Sequence, residues 1–378
     1  PSSGKTKICA IKGNPMSLKP IQIGKHTIKT PIVQGGMGVG ISWDKLAGAV
    51  SFEGGLGVIS SVGTGYYEDK VHADKLIANR PLDAENFYSK KGLEAIVKNA
   101  RKICGDAPLA CNILYAINDY GRVVTDACEA GIDIIITGAG LPTNMPEFTA
   151  DYPDVALVPI VSSPKALSII CKRWQKRYNR LPDAVILEGP LSGGHQGFTY
   201  EQCTMEEYQL ENLVAPVVEE AALWGGMPVI AAGGIWDKND IDAMIALGAA
   251  GVQMGTRFIG TFECDAHDNF KEVLLAAKKE DITLMKSPVG YPARGVRTNL
   301  RDLIDTRTGP SIKCISNCVA PCNRGVEAKE VGFCIADRLS DAYLGDKELG
   351  LFFSGSNGYR IDKIISVKEL MEKLTHGE

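Results

Sequence analysis

No run of eighteen apolar residues occurs in this 378-residue sequence, so no membrane-crossing helix is expected. An excess of charge of one sign is lacking too. Lysine and arginine (41) nearly balance aspartate and glutamate (45), the net charge is −4, and nothing marks a nucleic-acid binder. No low-complexity tract is present, which excludes wholesale disorder. There is no G-x-x-x-x-G-K-[ST] phosphate loop, and Gly36-Met-Gly38-Val-Gly40 has the wrong spacing for the Rossmann fingerprint. Histidine is scarce, at five. No apolar leader of secretory type opens the sequence, and residues 1–15, ahead of Met16, read as an artificial leader. The expected compartment is the cytoplasm, where structural disulfides are rare.

Two residue types are plentiful. Glycine is 41 of 378, against roughly 7% on average. Cysteine is 11, an odd number, and four of them fall within residues 314–334. In a reducing compartment these are buried small apolar residues, metal ligands or reactive thiols.

From residue 30 onward, short β-branched runs alternate with amphipathic stretches. The runs are Pro31–Val33, Leu56–Ser60, Leu109–Asn112, Ile132–Ile136, Val155–Ile160, Ala184–Leu187, Val229–Ala231 and Gly251–Met254. Helical patterns between them include Trp43–Phe52, Tyr120–Ala130, Pro164–Arg177, Leu213–Trp224 and Lys238–Leu247. Such alternation implies a parallel sheet with helices outside it. Eight units over about 225 residues predict an α/β fold, a (β/α)8 TIM barrel over 16–260, with a doubly wound open sheet as the alternative. Beyond residue 260 the pattern breaks. Phe270–Lys279 and Val367–Thr375 look helical and Leu349–Gly358 reads as a short strand and turn, so 261–378 is expected as an appended region packed on the barrel.

The glycines cluster just after the strands: Gln34-Gly-Gly-Met-Gly38, Ser60-Ser-Val-Gly-Thr-Gly65, Thr137-Gly-Ala-Gly140, Glu188-Gly-Pro-Leu-Ser-Gly-Gly-His195, Ala232-Gly-Gly234 and Met254-Gly-Thr256. Strand-to-helix turns use glycine for purely local reasons, but six such turns on the C-terminal face of one barrel point to a ligand site. Gly233, Gly234, Gly255 and Thr256 offer backbone N–H groups to a phosphate, which barrels often bind after strands seven and eight. A phosphate-bearing cofactor on a barrel fits this better than a dinucleotide, and flavin mononucleotide (FMN) is the candidate. The loop Gln34–Gly38 can carry a flat ring, and Asn112 at a strand end can hydrogen-bond its edge. His195 is the one histidine within these strand-end loops. A lone histidine is often a structural one bonded to backbone. In this loop it is the candidate acid/base.

The cysteine segment reads Cys314-x3-Cys318-x3-Cys322-x11-Cys334. Three close ligands followed by a later fourth suit a cubane [4Fe–4S] cluster. A four-cysteine zinc site and unligated buried thiols are the alternatives. A flavin accepts electrons in pairs and a cluster passes them singly, so the two make a plausible relay.

These motifs together resemble the nitronate monooxygenase/enoyl-ACP reductase II superfamily of FMN barrels, over residues 30–260. The resemblance rests on Gln34–Gly38, Glu188–His195, Ala232–Gly234 and Gln253-Met-Gly-Thr-Arg257. It implies FMN bound by Gln34, Gly35, Gly36, Met37, Asn112, Gly194, Gly233, Gly234, Gly255 and Thr256, with His195 as acid/base. The tail motifs Ser316-Asn-Cys-Val-Ala-Pro-Cys-Asn-Arg-Gly325 and Ser287-Pro-Val-Gly-Tyr-Pro-Ala-Arg294 resemble a branch of bifunctional acyl-ACP dehydrogenase/isomerases that carries FMN and a [4Fe–4S] cluster. That implies conversion of decanoyl-ACP to the trans-2-enoyl form and then to the cis-3 isomer. The partners would be an acyl carrier protein and an electron acceptor, oxygen or a carrier; a homo-oligomer is left open. The basic stretch Lys172, Arg173, Lys176, Arg177 and Arg180 is an ordinary solvated helix face as readily as a docking site.

Overall fold

The computed structural model describes residues 18–68, 87–306, 308, 319, 322 and 333–377. The segment 1–15 and the ligand candidates Cys314 and Cys318 lie outside them. A hairpin opens the fold, β1 (Ile21–Ile23) and β2 (His26–Ile28). Its two-residue turn is Gly24-Lys25, and Gly24 takes φ +57, the left-handed value that glycine adopts without steric cost. Eight parallel strands follow: β3 (Ile32–Gln34), β4 (Gly57–Ser60), β5 (Leu109–Leu114), β6 (Ile134–Gly138), β7 (Ala156–Val161), β8 (Val185–Glu188), then β10 (Val229–Ala232) and β11 (Gly251–Met254). Their spatial order is β3-β11-β10-β8-β7-β6-β5-β4, and a parallel bridge between Val33 and Leu56 brings β3 back to β4. The result is a TIM-barrel-like α/β fold.

Period-two alternation explains the strands. Both faces are apolar because one looks into the barrel and the other onto helices. Ile134 and Ile136 join Val33, Val58, Ala110, Val158, Ile186 and Ile230 in the interior, while Ile135 packs outward with Leu157, Val185 and Leu187. Helices form where the amphipathic stretches predict them, with shifted ends. The helix expected at Leu213–Trp224 spans Leu210–Leu223, with Pro216 inside it. Local chemistry sets several starts: Ser163 accepts from the Ala166 N–H with Pro164 in the first turn, and Asp237 and Asp240 form a reciprocal capping box.

Two differences from the sequence reading matter for function. His195 was expected on a loop. It lies instead in a two-residue strand, β9 (Gly194–His195), at the edge of a three-stranded antiparallel sheet with β12 (Ile282–Lys286) and β13 (Pro292–Val296). Ala293 is the register partner of His195 and Arg294 of Gly194. The pairing joins residues about a hundred positions apart, so nothing local announces it. The expected strand near residue 349 is reduced to a bridge between Phe353 and Gly295. Segment 354–360 then folds over the barrel loops: the Gly355 N–H donates to Thr256 Oγ1 (2.8 Å) and the Asn357 amide donates to Gly234 O (2.6 Å). The described residues include no helix long and apolar enough to cross a membrane.

Candidate active site

A cavity of about 910 Å³ opens at the C-terminal ends of the barrel strands. Gly35, Gly36, Met37, Asn112, Gly194, His195, Gly233, Gly234, Gly255 and Thr256 all line it. Gln34 does not. Its side chain is fully buried and spent on the barrel seam, with Oε1 accepting from Val58 N–H (3.0 Å) and Nε2 donating to Val58 O (3.3 Å). The structure therefore gives this glutamine the task of holding β3 to β4.

The glycines are where backbone must come close. A Cβ on Gly36 would lie 2.3 Å from Asn112 Cβ, and Gly233 takes φ +103 with its Cβ position only 2.8 Å from Gly189 O. Side chains there would fill the cradle or strain it. At one end of the cavity, Thr256 Oγ1 accepts from Gly355, which leaves its own O–H for another acceptor beside Gly234 and Gly255. Gln253 Oε1 is buried with no partner. A cradle of close backbone, a donor-rich end and an unsatisfied acceptor fit FMN.

His195 opens on this cavity. Its Nε2 is 2.8 Å from Ser287 Oγ, and its ring meets Phe353 edge-on at 5.4 Å. Removal from water pushes its pKa down to about 4, so the imidazole is neutral at pH 7 and able to accept a proton. Glu188, at the end of β8, moves the other way. Burial raises it to about 7, opposed only by a hydrogen bond from Ser192. Arg294, buried behind the loop, donates to Pro190 O (2.9 Å) and ties the segment carrying His195 to β13.

The same cavity is also lined by the apolar side chains of Leu114, Ile117, Leu141, Val289, Ile335 and Leu339. Among the described residues no group of three or more His, Cys, Asp or Glu could hold a metal. Of the four candidate ligands only Cys322, half-buried, and Cys334, which precedes the helix Ile335–Tyr343, are among them.

Sequence reasoning missed Glu188, Gln253, Ser287, Phe353 and Asn357 as lining or contact residues. The first two carried a readable signal, since each is a polar residue at an inward register of an otherwise apolar strand. Ser287, Phe353 and Asn357 reach the site through long-range pairing and had none.

Comparison with known proteins places the chain among relatives. A family model described as nitronate monooxygenase matches residues 19–377. The (3aS,4S,5R,7aS)-5-hydroxy-7a-methyl-1-oxo-octahydro-1H-indene-4-carboxyl-CoA dehydrogenase of Rhodococcus jostii is 28% identical over 277 residues, covering 72% of this chain; the match spans only 64% of that relative's length. A probable nitronate monooxygenase of Staphylococcus aureus is 27% identical over 290 residues, 71% of this chain and 76% of the relative. Among solved structures, FabK from Thermotoga maritima superposes with a TM-score of 0.68 at 28% identity, over 92% of each chain.

Proposed function

The chain belongs to the nitronate monooxygenase family of FMN-using, flavin-dependent oxidoreductases, and within that family we propose that it dehydrogenates a medium-chain saturated acyl-ACP, decanoyl-ACP, to the trans-2-enoyl thioester and isomerises this to the cis-3 form. The observation that carries this reading is the apolar lining of the cavity that His195 shares: Leu114, Ile117, Leu141, Val289, Ile335 and Leu339 offer a long chain far more surface than a small nitronate needs. The Rhodococcus jostii relative, by name a dehydrogenase of a carboxyl-CoA, supports a thioester substrate.

Gly35, Gly36, Met37, Asn112, Gly194, Gly233, Gly234, Gly255 and Thr256 would hold FMN. Bound there, FMN supplies a two-electron acceptor for the hydride leaving C3. His195, neutral at pH 7, takes the proton from C2, whose acidity comes from the thioester carbonyl. Ser287 and Phe353 hold the imidazole in place. After passing that proton on, the same imidazole removes one from C4 and returns one to C2, which shifts the double bond without net loss of atoms. Residues 16–260 form the catalytic barrel in this reading, and 261–378 complete the site from outside it. Cys314, Cys318, Cys322 and Cys334 would carry a [4Fe–4S] cluster that passes electrons to oxygen or a carrier, in the cytoplasm.

The test begins with the absorption spectrum of freshly purified protein, where flavin bands over a broad cluster shoulder are expected. A colourless protein removes both cofactor assignments. Anaerobic addition of decanoyl-ACP should then bleach the flavin and yield the two enoyl products in turn. No bleaching, with NADH consumed on enoyl-ACP instead, would replace the dehydrogenase by a reductase. Turnover of a nitronate alone would reduce the assignment to a nitronate monooxygenase.

A further inference from the structure

His195 is carried on a short and pliable stem. Ser192-Gly193-Gly194 precede it, and Gly194 takes φ +77, in the left-handed region. Two glycines in a row leave the backbone many conformations to choose from. Strand β9 is two residues long and pairs with β13 at Ala293 and Arg294. Ser287 and Phe353 meet the imidazole itself, at the far end of the side chain. The direction in which that side chain leaves the backbone is set earlier, by the peptide unit between Gly194 and His195. This unit is planar, so a hold on the Gly194 carbonyl is also a hold on the His195 N and Cα.

The residue after the histidine supplies such a hold. Gln196 is 2% exposed, and its side chain turns back along the chain. Nε2 donates to Ser192 O (2.9 Å) and to Gly194 O (2.9 Å), and Ser192 Oγ lies 3.4 Å from Oε1. A side-chain amide has two N–H donors, and here each meets one carbonyl. The Gln196 backbone N–H donates to Pro292 O (2.8 Å), at the start of β13. The side chain therefore ties both ends of the glycine pair to a residue that is itself fixed on the small sheet. Arg294 reinforces the loop further back, at Pro190 O. A loop that needed only packing would be served by an apolar residue, without the cost of burying an amide. Asparagine is one methylene shorter. Glutamate has the length, but once ionised it has no donor and faces two carbonyl oxygens.

We propose that Gln196 is a positioning residue for the acid/base: its side-chain amide locks the glycine turn and the Gly194–His195 peptide plane, and so aims the imidazole into the cavity. The inference rests on the reading of His195 as acid/base given above. Gln196 takes no proton and acts only through the ring that it orients. Locking of this kind is what keeps a reacting group within the narrow range of geometries that catalysis needs.

The experiment uses the full chain and two readouts. The first needs no turnover: the imidazole Hε1 resonance of His195 in flavin-free protein, identified by its loss in His195→Ala. Wild type should give one narrow signal. Gln196→Met, equal in length and without donors, should broaden or split that signal and move it toward the free-imidazole position, with the signals of His26, His72, His267 and His376 unmoved. The second readout is the rate of anaerobic flavin bleaching by decanoyl-ACP. Gln196→Met should lower the saturating rate about 10–100-fold, the range for two lost hydrogen bonds, with the half-saturating concentration and FMN affinity unchanged. Gln196→Glu should show a similar deficit at pH of about 8 and recover part of it at about 5.5, as protonation restores one donor. Should Gln196→Met fail to fold, Gln196→Glu carries both readouts. An unmoved His195 signal overturns the proposal, and so does a loss expressed only in the half-saturating concentration or a Gln196→Glu deficit that stays constant with pH. Wild-type protein that shows no bleaching removes the dehydrogenase reading and leaves the imidazole signal to decide this one.

Discussion

The two ends of the barrel are built on opposite terms. At the N-terminal end Ile21, Ile23 and Ile28 of the opening hairpin pack with the barrel interior. The two carboxylates there are matched. Asp133 accepts from the Leu109 N–H (2.8 Å) and from Arg101 (2.6 Å), and Asp183 accepts from the Leu157 N–H (2.7 Å) and from Arg180 (2.9 Å). At the C-terminal end Gln253 Oε1 lacks a partner, Glu188 is pushed up to about 7 and His195 is pushed down to about 4. One end meets nearly all of its polar groups with protein, Arg180 Nε being an exception. The other keeps groups that protein atoms leave unmet or hold away from their ordinary titration, which is where a departure from local consistency is expected in a functional protein.

Removing His195 tests the open end most severely. His195→Ala should lower dehydrogenation by about 10²–10⁴-fold, the usual range for a general base, while FMN stays bound and the urea midpoint at pH 7 barely moves. A variant that kept its rate would take the acid/base assignment away from this residue. The closed end should answer in the opposite currency. Ile23 is fully buried, and Ile23→Ala should cost about 2–5 kcal/mol in urea unfolding with FMN affinity unchanged. A loss of flavin affinity in that variant would show that the two ends are not independent.

The same contrast explains what could be read in the sequence. The eight strand runs were legible because each must be apolar on both faces; even the shifted β6, expected at Ile132–Ile136 and observed at Ile134–Gly138, was displaced by only two residues. The glycine turns were legible as a set, because ten of the residues expected around the site do line one cavity. Gln34 shows the limit of that logic. Its neighbours face the cavity, but a strand reverses direction at each residue, and its amide serves the seam with Val58 instead. His195 shows another limit. Its place was evident, but its companions Ser287 and Phe353 arrive through the β12–β13 connection and the tail, and long-range antiparallel pairing leaves no short-range pattern to find.

Ser287 gives the next smaller effect. Ser287→Ala removes the hydrogen bond between Ser287 Oγ and the imidazole, at 2.8 Å, and should lower kcat/KM about tenfold by loosening the ring. Ser287→Thr keeps the hydroxyl and should recover most of the rate. Equal loss in both variants would mean that the loop's packing matters and the hydroxyl does not.

The smallest effect carries the most information, because its sign differs between two residues of the same cavity. His195 has a folded pKa of about 4 against an ordinary 6.5. Between those values the unfolded chain binds a proton that the folded chain refuses, so this residue's contribution to stability is present above pH 6.5 and is lost as pH falls toward 4. Glu188 has a folded pKa of about 7 against an ordinary 4.5. There the folded chain holds a proton that the unfolded chain has released, so its contribution is present below pH 4.5 and is lost as pH rises toward 7. The two slopes oppose each other across the shared window. In flavin-free protein, urea midpoints measured from pH 4 to 7.5 should therefore tilt one way when His195→Ala is compared with wild type and the other way for Glu188→Gln. Parallel tilts would mean that one of the two groups is not desolvated by this cavity, and the group whose slope keeps its wild-type sign identifies which side of the open end faces water.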